Sequence, residues 1–387
     1  MNGNGVTTFR TTPTVIFGTG SLQTLADQVK FLGGGKAIVV TDPGIEKAGI
    51  LARAAEVLSK AGLAFETYAD VEPEPPVESV DRCAEAIRSS GAAVVIGLGG
   101  GSAMDTSQIA ACAVTNNLKT QQMLGIDLIP RPGLPSISVP TTSGTASEVT
   151  GNAVTVLPDR SNKMAAVSPH IYPKVAIVDP ELTYSVPPAI TAATGIDAFC
   201  HAAESFISVR ATPHTQMYAR EAMRLILDNL PRAYAKGSDK EARANMARGS
   251  LFAGYTLANA GTTMVHGMAH VLGARHRVPH GLANAIFLLP VMRFYAERAP
   301  EKIDALARAV GVSDSVKDKR RRADGAVAVM RGMVEAVKID PKLSSYGVKE
   351  ADLRGIAEAT VAARRLMLQS PVDARVEDVE EILAGML

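Results

Sequence analysis

The sequence predicts an α/β domain built on a doubly wound parallel sheet, residues 1–186, followed by an all-α domain, residues 187–387. Through about residue 180, short β-branched runs alternate with stretches of helical spacing, the rhythm of βαβ units. After Tyr184-Ser185-Val186-Pro187-Pro188 the strand signals stop, and Ala, Leu, Met, Arg and Glu dominate almost to Leu387. One apolar run also leads into three consecutive glycines and then a helical stretch, the order strand, tight turn, helix.

In chain order, strands are expected at residues 14–17, 36–41, 92–98, 136–139 and 174–178. Between them, residues 21–30, 49–61, 77–90 and 106–114 carry apolar side chains at helical spacing, long enough for the crossovers that parallel strands need. Pro187 and Pro188 cannot extend a preceding helix, whereas Pro188 suits the first turn of a new one, so the domain boundary falls there. The run Lys317-Asp318-Lys319-Arg320-Arg321-Arg322 reads as a solvated helix end.

A length of 387 residues fits two domains with a sizeable core. Apolar residues make up 47% and charged residues 20%, too apolar a balance for a disordered chain. Lys plus Arg is 40 against 39 for Asp plus Glu, so no net field draws the protein to nucleic acid or an anionic membrane. Cys83, Cys112 and Cys200 are few, widely spaced and odd in number, which points to the cytoplasm and to no disulfide framework. The sequence shows no basic-then-apolar leader at its start and no apolar run of about 18 residues, so neither secretion nor a membrane span is expected.

The strand at 92–98 ends in Gly99-Gly100-Gly101-Ser102-Ala103-Met104-Asp105. Glycines admit an anion close to backbone N–H groups, the following helix adds unpaired donors and the positive end of its dipole, and Ser102 adds a hydroxyl. The pattern departs from G-x-G-x-x-G, so it stands or falls with its neighbours. Asp42 ends the strand at 36–41, where a carboxylate accepts hydrogen bonds from a ribose and repels a 2′-phosphate; Asp42-Pro43-Gly44 also reads as a plain turn. Pro140-Thr141-Thr142-Ser143-Gly144-Thr145-Ala146-Ser147-Glu148 follows another strand with hydroxyls, a glycine and a capping-type glutamate, and suits either a polar ligand or a helix cap.

The helical half concentrates metal-ligand chemistry. Of seven histidines, His266, His270, His276 and His280 fall within fifteen residues. His266 and His270 are four apart and share a helix face, and Pro279 and Gly281 break the helix so that His280 can turn back towards them. Upstream, Asp197 and His201 are also four apart. One carboxylate with three imidazoles suits Fe(II) or Zn(II) better than the oxygen-preferring Mg(II) or Ca(II).

Taken together, Gly99-Gly100-Gly101-Ser102 with Asp105, Pro140-Thr141-Thr142-Ser143-Gly144-Thr145, Asp197-x-x-x-His201, His266-x-x-x-His270 and Pro279-His280-Gly281 resemble the iron-containing, or group III, alcohol dehydrogenase family over nearly the whole chain. The resemblance implies an NAD-linked, metal-dependent interconversion of a short-chain primary alcohol and its aldehyde in a cleft between the two domains. It implies Asp197, His201, His266 and His280 as ligands of one divalent metal, iron foremost and zinc second, with His270 beside the nicotinamide as a proton relay. It assigns Asp42, Gly99, Gly100, Gly101, Ser102, Asp105, Thr141, Thr142, Thr145, Asn152 and Lys163 to the dinucleotide. A homo-oligomer, dimer or larger, follows from the family's habit. Glu74, in Pro73-Glu74-Pro75, stands where many members carry Asn.

Three further readings compete. An aldehyde bearing a carboxylate, phosphonate or sulfonate is suggested by Arg275 and Arg277, since guanidinium groups bind oxyanions through paired donors, although exposed surface arginines are the plainer reading. His276, between them, reads as pocket lining or surface. A lyase of the dehydroquinate synthase type also combines NAD with a metal, but no dense set of Lys and Arg surrounds these motifs. A structural or storage metal site would leave the glycine loops and Asp42 unexplained.

Overall fold

The computed structural model describes residues 6–159 and 162–387. Among these residues nine strands form in order: β1 (Thr14–Phe17), β2 (Ala37–Val40), β3 (Phe65–Tyr68), β4 (Val94–Gly99), β5 (Gly125–Ile126), β6 (Ser136–Pro140), β7 (Asn152–Val156), β8 (Lys163–Val167) and β9 (Val175–Val178). Helices α1 (Leu25–Phe31), α2 (Pro43–Lys47), α3 (Ile50–Lys60), α4 (Val77–Ser90), α5 (Gly101–Asn116) and α6 (Thr120–Met123) fill the intervals between strands. Beyond β9 the elements are helical: α7 (Pro188–Ile207), α8 (Pro213–Ala235), α9 (Lys240–Ala260), α10 (Met264–His276) and α11 (His280–Arg298) come first. They are followed by α12 (Pro300–Ala309), α13 (Lys319–Ala336), α14 (Leu353–Ala362), α15 (Arg364–Met367) and α16 (Val376–Ala384). Among the described residues no helix is long and apolar enough to cross a membrane.

The main sheet is parallel throughout, in the order β1-β9-β6-β4-β2-β3. Its strands are apolar on both faces because helices cover both. Val39, Val94, Ile96, Ile137 and Ile177 pack with Leu25, Ile50 and Leu58, whereas Ile38, Val40 and Val95 pack on the other side with Val80, Ile87 and Ile109. The order β6-β4-β2 sets the carboxyl ends of those three strands side by side, so the segments that follow them, sequence-distant, become neighbours at a switch point of the kind that binds ligands. The helical half has its own core, with Phe199, Met223, Ile226, Phe287 and Met292 among its buried members.

All five expected strands form. The edge strand β3 and the second sheet, β5-β8-β7, have no counterpart among the strands expected from the sequence. β3 is half exposed and reads Phe-Glu-Thr-Tyr, and β7 and β8 are short antiparallel strands whose polar residues break the apolar run. Pro188 sits in the first turn of α7, as its fixed φ favours. The basic run at 317–322 differs from expectation at its end: Asp318 caps α13, and Arg322 is buried and paired with Asp304 rather than solvated.

Candidate active site

The switch point assembles the glycine loop. Thr141 follows β6 and its backbone N–H donates to Gly99 O at 3.0 Å, while Thr41 Oγ1 donates to Leu98 O at 2.7 Å. A Cβ on Gly101 would lie 2.7 Å from Thr145 Cγ2, so only glycine lets the loop after β4 close on the loop after β6. Gly100 also faces that loop, with a Cβ at its position standing in ordinary contact, 3.6 Å from Thr142 Oγ1. Asp42 Oδ1 caps α2 by accepting from the N–H groups of Gly44 and Ile45 at 2.8 and 3.1 Å. Its other oxygen lies against Gly99, 3.3 Å from where a Cβ would stand. The turn role and the loop-facing role of Asp42 therefore coexist.

Opposite this loop, α7, α10 and α11 bring their polar residues to one point. Asp197 Oδ1 lies 3.6 Å from His201 Nε2 and 3.7 Å from Nε2 of both His266 and His280. The ligand atoms of the four residues fall within 4.8 Å of one another. Two tetrahedral donors each about 2.1 Å from a cation are separated by about 3.4 Å, so the set is spaced for one ion. Asp197, His201 and His266 are at most 3% exposed. Burial pushes the His201, His270 and His280 imidazoles below their usual range, which keeps them neutral with a lone pair to offer.

A residue that the motifs do not single out orients this set. Glu204 is fully buried on α7, one turn beyond His201. It accepts from His266 Nδ1, from Thr263 N and Oγ1 at 2.9 and 2.6 Å, and from Val265 N at 3.0 Å. A carboxylate on Nδ1 fixes the ring and leaves the Nε2 lone pair aimed at Asp197. Its spacing, seven residues after Asp197, repeats the helix face that carries Asp197 and His201, and that signal is present in the sequence. Asn284, likewise outside the motifs, donates Nδ2 to Asp197 Oδ1 at 2.7 Å and lies 3.2 Å from Nε2 of both His266 and His280.

His270 stands one turn beyond His266, its ring centroid 5.4 Å from that of His280, outside the four-residue set. It shares a cavity of about 140 Å³ with His201, His266 and His280, and the opposite wall carries Gly101, Ser102, Asp105, Thr145, Asn152 and Lys163. Asp105 Oδ2 accepts from Val154 N at 2.8 Å and ties α5 to β7, while burial pushes its carboxyl up to about 7. Arg275 and Arg277 are exposed and His276 is half-buried at the end of α10, all three outside this cavity. The arginine that does line it is Arg365 on α15.

Glu74 joins the two walls. Its carboxylate accepts from the backbone N–H of His280 at 2.9 Å and pairs with Lys163 Nζ at 2.7 Å, and its own N–H donates to Ser102 Oγ at 3.1 Å. It holds φ +50, a conformation that Asn tolerates better than Glu. Burial lowers the Lys163 ammonium from its usual range, and Glu74 is its counter-charge. We expect Glu74→Ala to lower stability by about 2 kcal/mol or more in thermal unfolding, because a buried ammonium is left alone. The double variant Glu74→Ala with Lys163→Met should recover most of that loss; a double variant less stable than Glu74→Ala contradicts this account of the pair.

Residues 12–180 match the profile of the family described as iron-containing alcohol dehydrogenase, and residues 191–387 match that of the Fe-containing alcohol dehydrogenase family, C-terminal. The chain is 37% identical over 377 residues to the sulfoacetaldehyde reductase of Bilophila wadsworthia (strain 3_1_6), covering 96% of this chain and 95% of that protein. It is 36% identical over 372 residues to the lactaldehyde reductase of Escherichia coli (strain K12), covering 95% of this chain and 96% of that protein. It superposes on a crystal structure of 1,3-propanediol oxidoreductase with a TM-score of 0.95 at 33% identity, covering 99% of this chain and 100% of the other. The class these matches define is an oxidoreductase of alcohols and aldehydes. The chain belongs to the iron-containing alcohol dehydrogenase family.

Proposed function

We propose that this chain reduces a short-chain aldehyde to its primary alcohol with NADH, and runs the reverse oxidation, at an iron(II) site held by Asp197, His201, His266 and His280. The observation that carries this reading is the spacing of three imidazole Nε2 atoms 3.6–3.7 Å from one buried carboxylate oxygen, across a narrow cavity from the glycine loop. The mixed nitrogen and oxygen set suits Fe(II), with Zn(II) the other cation it fits. When bound, such a cation supplies Lewis acidity towards the substrate oxygen.

The chain's own groups do the rest. The N–H groups and hydroxyls of residues 99–102, 141, 142 and 145 receive the pyrophosphate, and Asp42 takes ribose hydroxyls and disfavours a 2′-phosphate, which selects NAD. Asn152 and Lys163, at the starts of β7 and β8, hold the nicotinamide end near His270. His270, neutral and free of the ligand set, passes the proton that the alkoxide takes up. Binding between two walls fixes donor and acceptor carbons in reacting geometry and excludes water. A homo-oligomer, dimer or larger, in the cytoplasm completes this reading; the three cysteines are free and buried.

The test is anaerobic NADH oxidation by iron-loaded protein with short aldehydes. Aldehyde-dependent consumption, with one alcohol formed per NADH, is expected. Consumption of no NADH with any aldehyde overturns the proposal in favour of a lyase that returns its cofactor, or of a metal-binding role.

A further inference from the structure

Arg365 carries a charge that no described residue answers. A guanidinium stays protonated at any physiological pH, and burying one away from water without an acceptor is costly. Arg365 sits at the C-terminal side of α14, on the short helix α15, half-buried, in the wall of the cavity that holds His266, His270 and His280. No hydrogen bond or ion pair to its guanidinium forms among the described residues. Burial and the repulsive charge of the Arg210 guanidinium both lower its affinity for its proton.

The surroundings repeat that sign. Arg365 also lines a larger adjoining cavity of about 630 Å³, together with Arg10 and Arg210. Neither of those guanidinium groups donates to a carboxylate among the described residues, and Asp127 is the single acidic residue in that wall. Asn152 and Leu257 border both cavities, so the two meet at Arg365. A positive approach leading to a guanidinium that has no partner among the described residues, in the cavity that the histidines line, is an arrangement for drawing in and orienting an anion.

We propose that Arg365 binds the oxyanion of the substrate, so that the preferred aldehyde carries a carboxylate, sulfonate or phosphonate. Arg365 lines the same cavity as the histidines, and its planar fork of donors sets the orientation of the bound anion. This rests on the aldehyde reduction proposed above and names its substrate class. The arginines that do this are not those flanking His276, which face solvent.

The experiment compares iron-loaded wild type, Arg365→Lys and Arg365→Met, with NADH, on matched pairs: glyoxylate, sulfoacetaldehyde and phosphonoacetaldehyde against acetaldehyde and propanal. Wild type should favour at least one anionic aldehyde over the neutral ones by tenfold or more in kcat/KM. Arg365→Met should cut that anionic-to-neutral ratio about 30- to 100-fold, the loss expected for a charge-assisted pair, and Arg365→Lys should recover part of it. Which anion wins separates planar carboxylate from tetrahedral sulfonate or phosphonate. A wild type that prefers neutral aldehydes overturns the inference while leaving aldehyde reduction intact, whatever the fate of the variants. An unchanged ratio in Arg365→Met, or a rise confined to the KM for NADH, also overturns it. No turnover with any aldehyde overturns both proposals together.

Discussion

Replacing His266 with alanine should release the divalent metal and abolish turnover in one step. The variant keeps Asp197, His201 and His280 but loses the donor that stands 3.7 Å from the shared carboxylate oxygen, and it leaves Glu204 buried without its imidazole partner. A three-donor remnant, with the buried Glu204 carboxylate beside it no longer facing an imidazole, binds metal weakly and holds its ligands poorly. We expect metal content below about a tenth of wild type after gel filtration, and NADH oxidation lowered by roughly a thousandfold or more, since Lewis-acid activation contributes several kcal/mol. Unchanged circular dichroism shows that the fold survives. Full metal content or wild-type turnover in His266→Ala contradicts the ligand assignment.

The second large effect is expected at the carboxylate behind that imidazole. Glu204→Gln keeps the shape and can still accept from Thr263 and Val265, but removes the negative charge from His266 Nδ1. Such partners typically contribute 10- to 100-fold in metal affinity. Chelator competition should therefore show metal binding weakened by that factor, with activity restored at high metal concentration. The restoration distinguishes an orienting carboxylate from a ligand: in His266→Ala, added metal should not rescue turnover. A Glu204→Gln protein with wild-type affinity removes Glu204 from the site.

Much of this site is legible in the amino-acid sequence alone, and the reason is local spacing. Asp197 and His201, and His266 and His270, are one helical turn apart, so their shared faces follow from helix geometry. That three helices aim these faces at one point is a tertiary fact, which spacing permits without requiring. The glycine loop is readable because strand, glycines and helix are contiguous in sequence, whereas its closure against Thr145 depends on the strand order β6-β4-β2. Glu204 shares the helix face of Asp197 and His201, but a buried glutamate looks like any helical glutamate until its partners are seen. Arg365 carries no sequence signal at all: it lies 85 residues beyond His280, on a four-residue helix, and Arg364 beside it faces solvent. Arg275 and Arg277 stand out only by their nearness in sequence to His276 and His280, which the end of α10 turns into distance from the cavity.

Glu74 shows the same limit in another form. In its motif it reads only as a departure from the family pattern, yet its carboxylate bridges Lys163 on β8 and the first residue of α11. A substitution that looks like a loss in one motif is a link between two walls of the cleft. The strands that pattern does not reveal, β3, β7 and β8, are those whose burial is one-sided or whose polar residues serve the cavity, so the apolar signal that marks the central strands is absent from them.

The proposed chemistry requires that one metal at Asp197, His201, His266 and His280 enable hydride transfer between NAD and an aldehyde. It is tested most directly by stripping the protein with chelator and titrating Fe(II) back anaerobically, reading bound iron and aldehyde-dependent NADH oxidation in the same samples. Oxidation should be negligible in the stripped protein, and the rate should rise in proportion to bound iron and level off at one ion per chain. A rate indifferent to stripping, or one that climbs equally in His266→Ala, contradicts it.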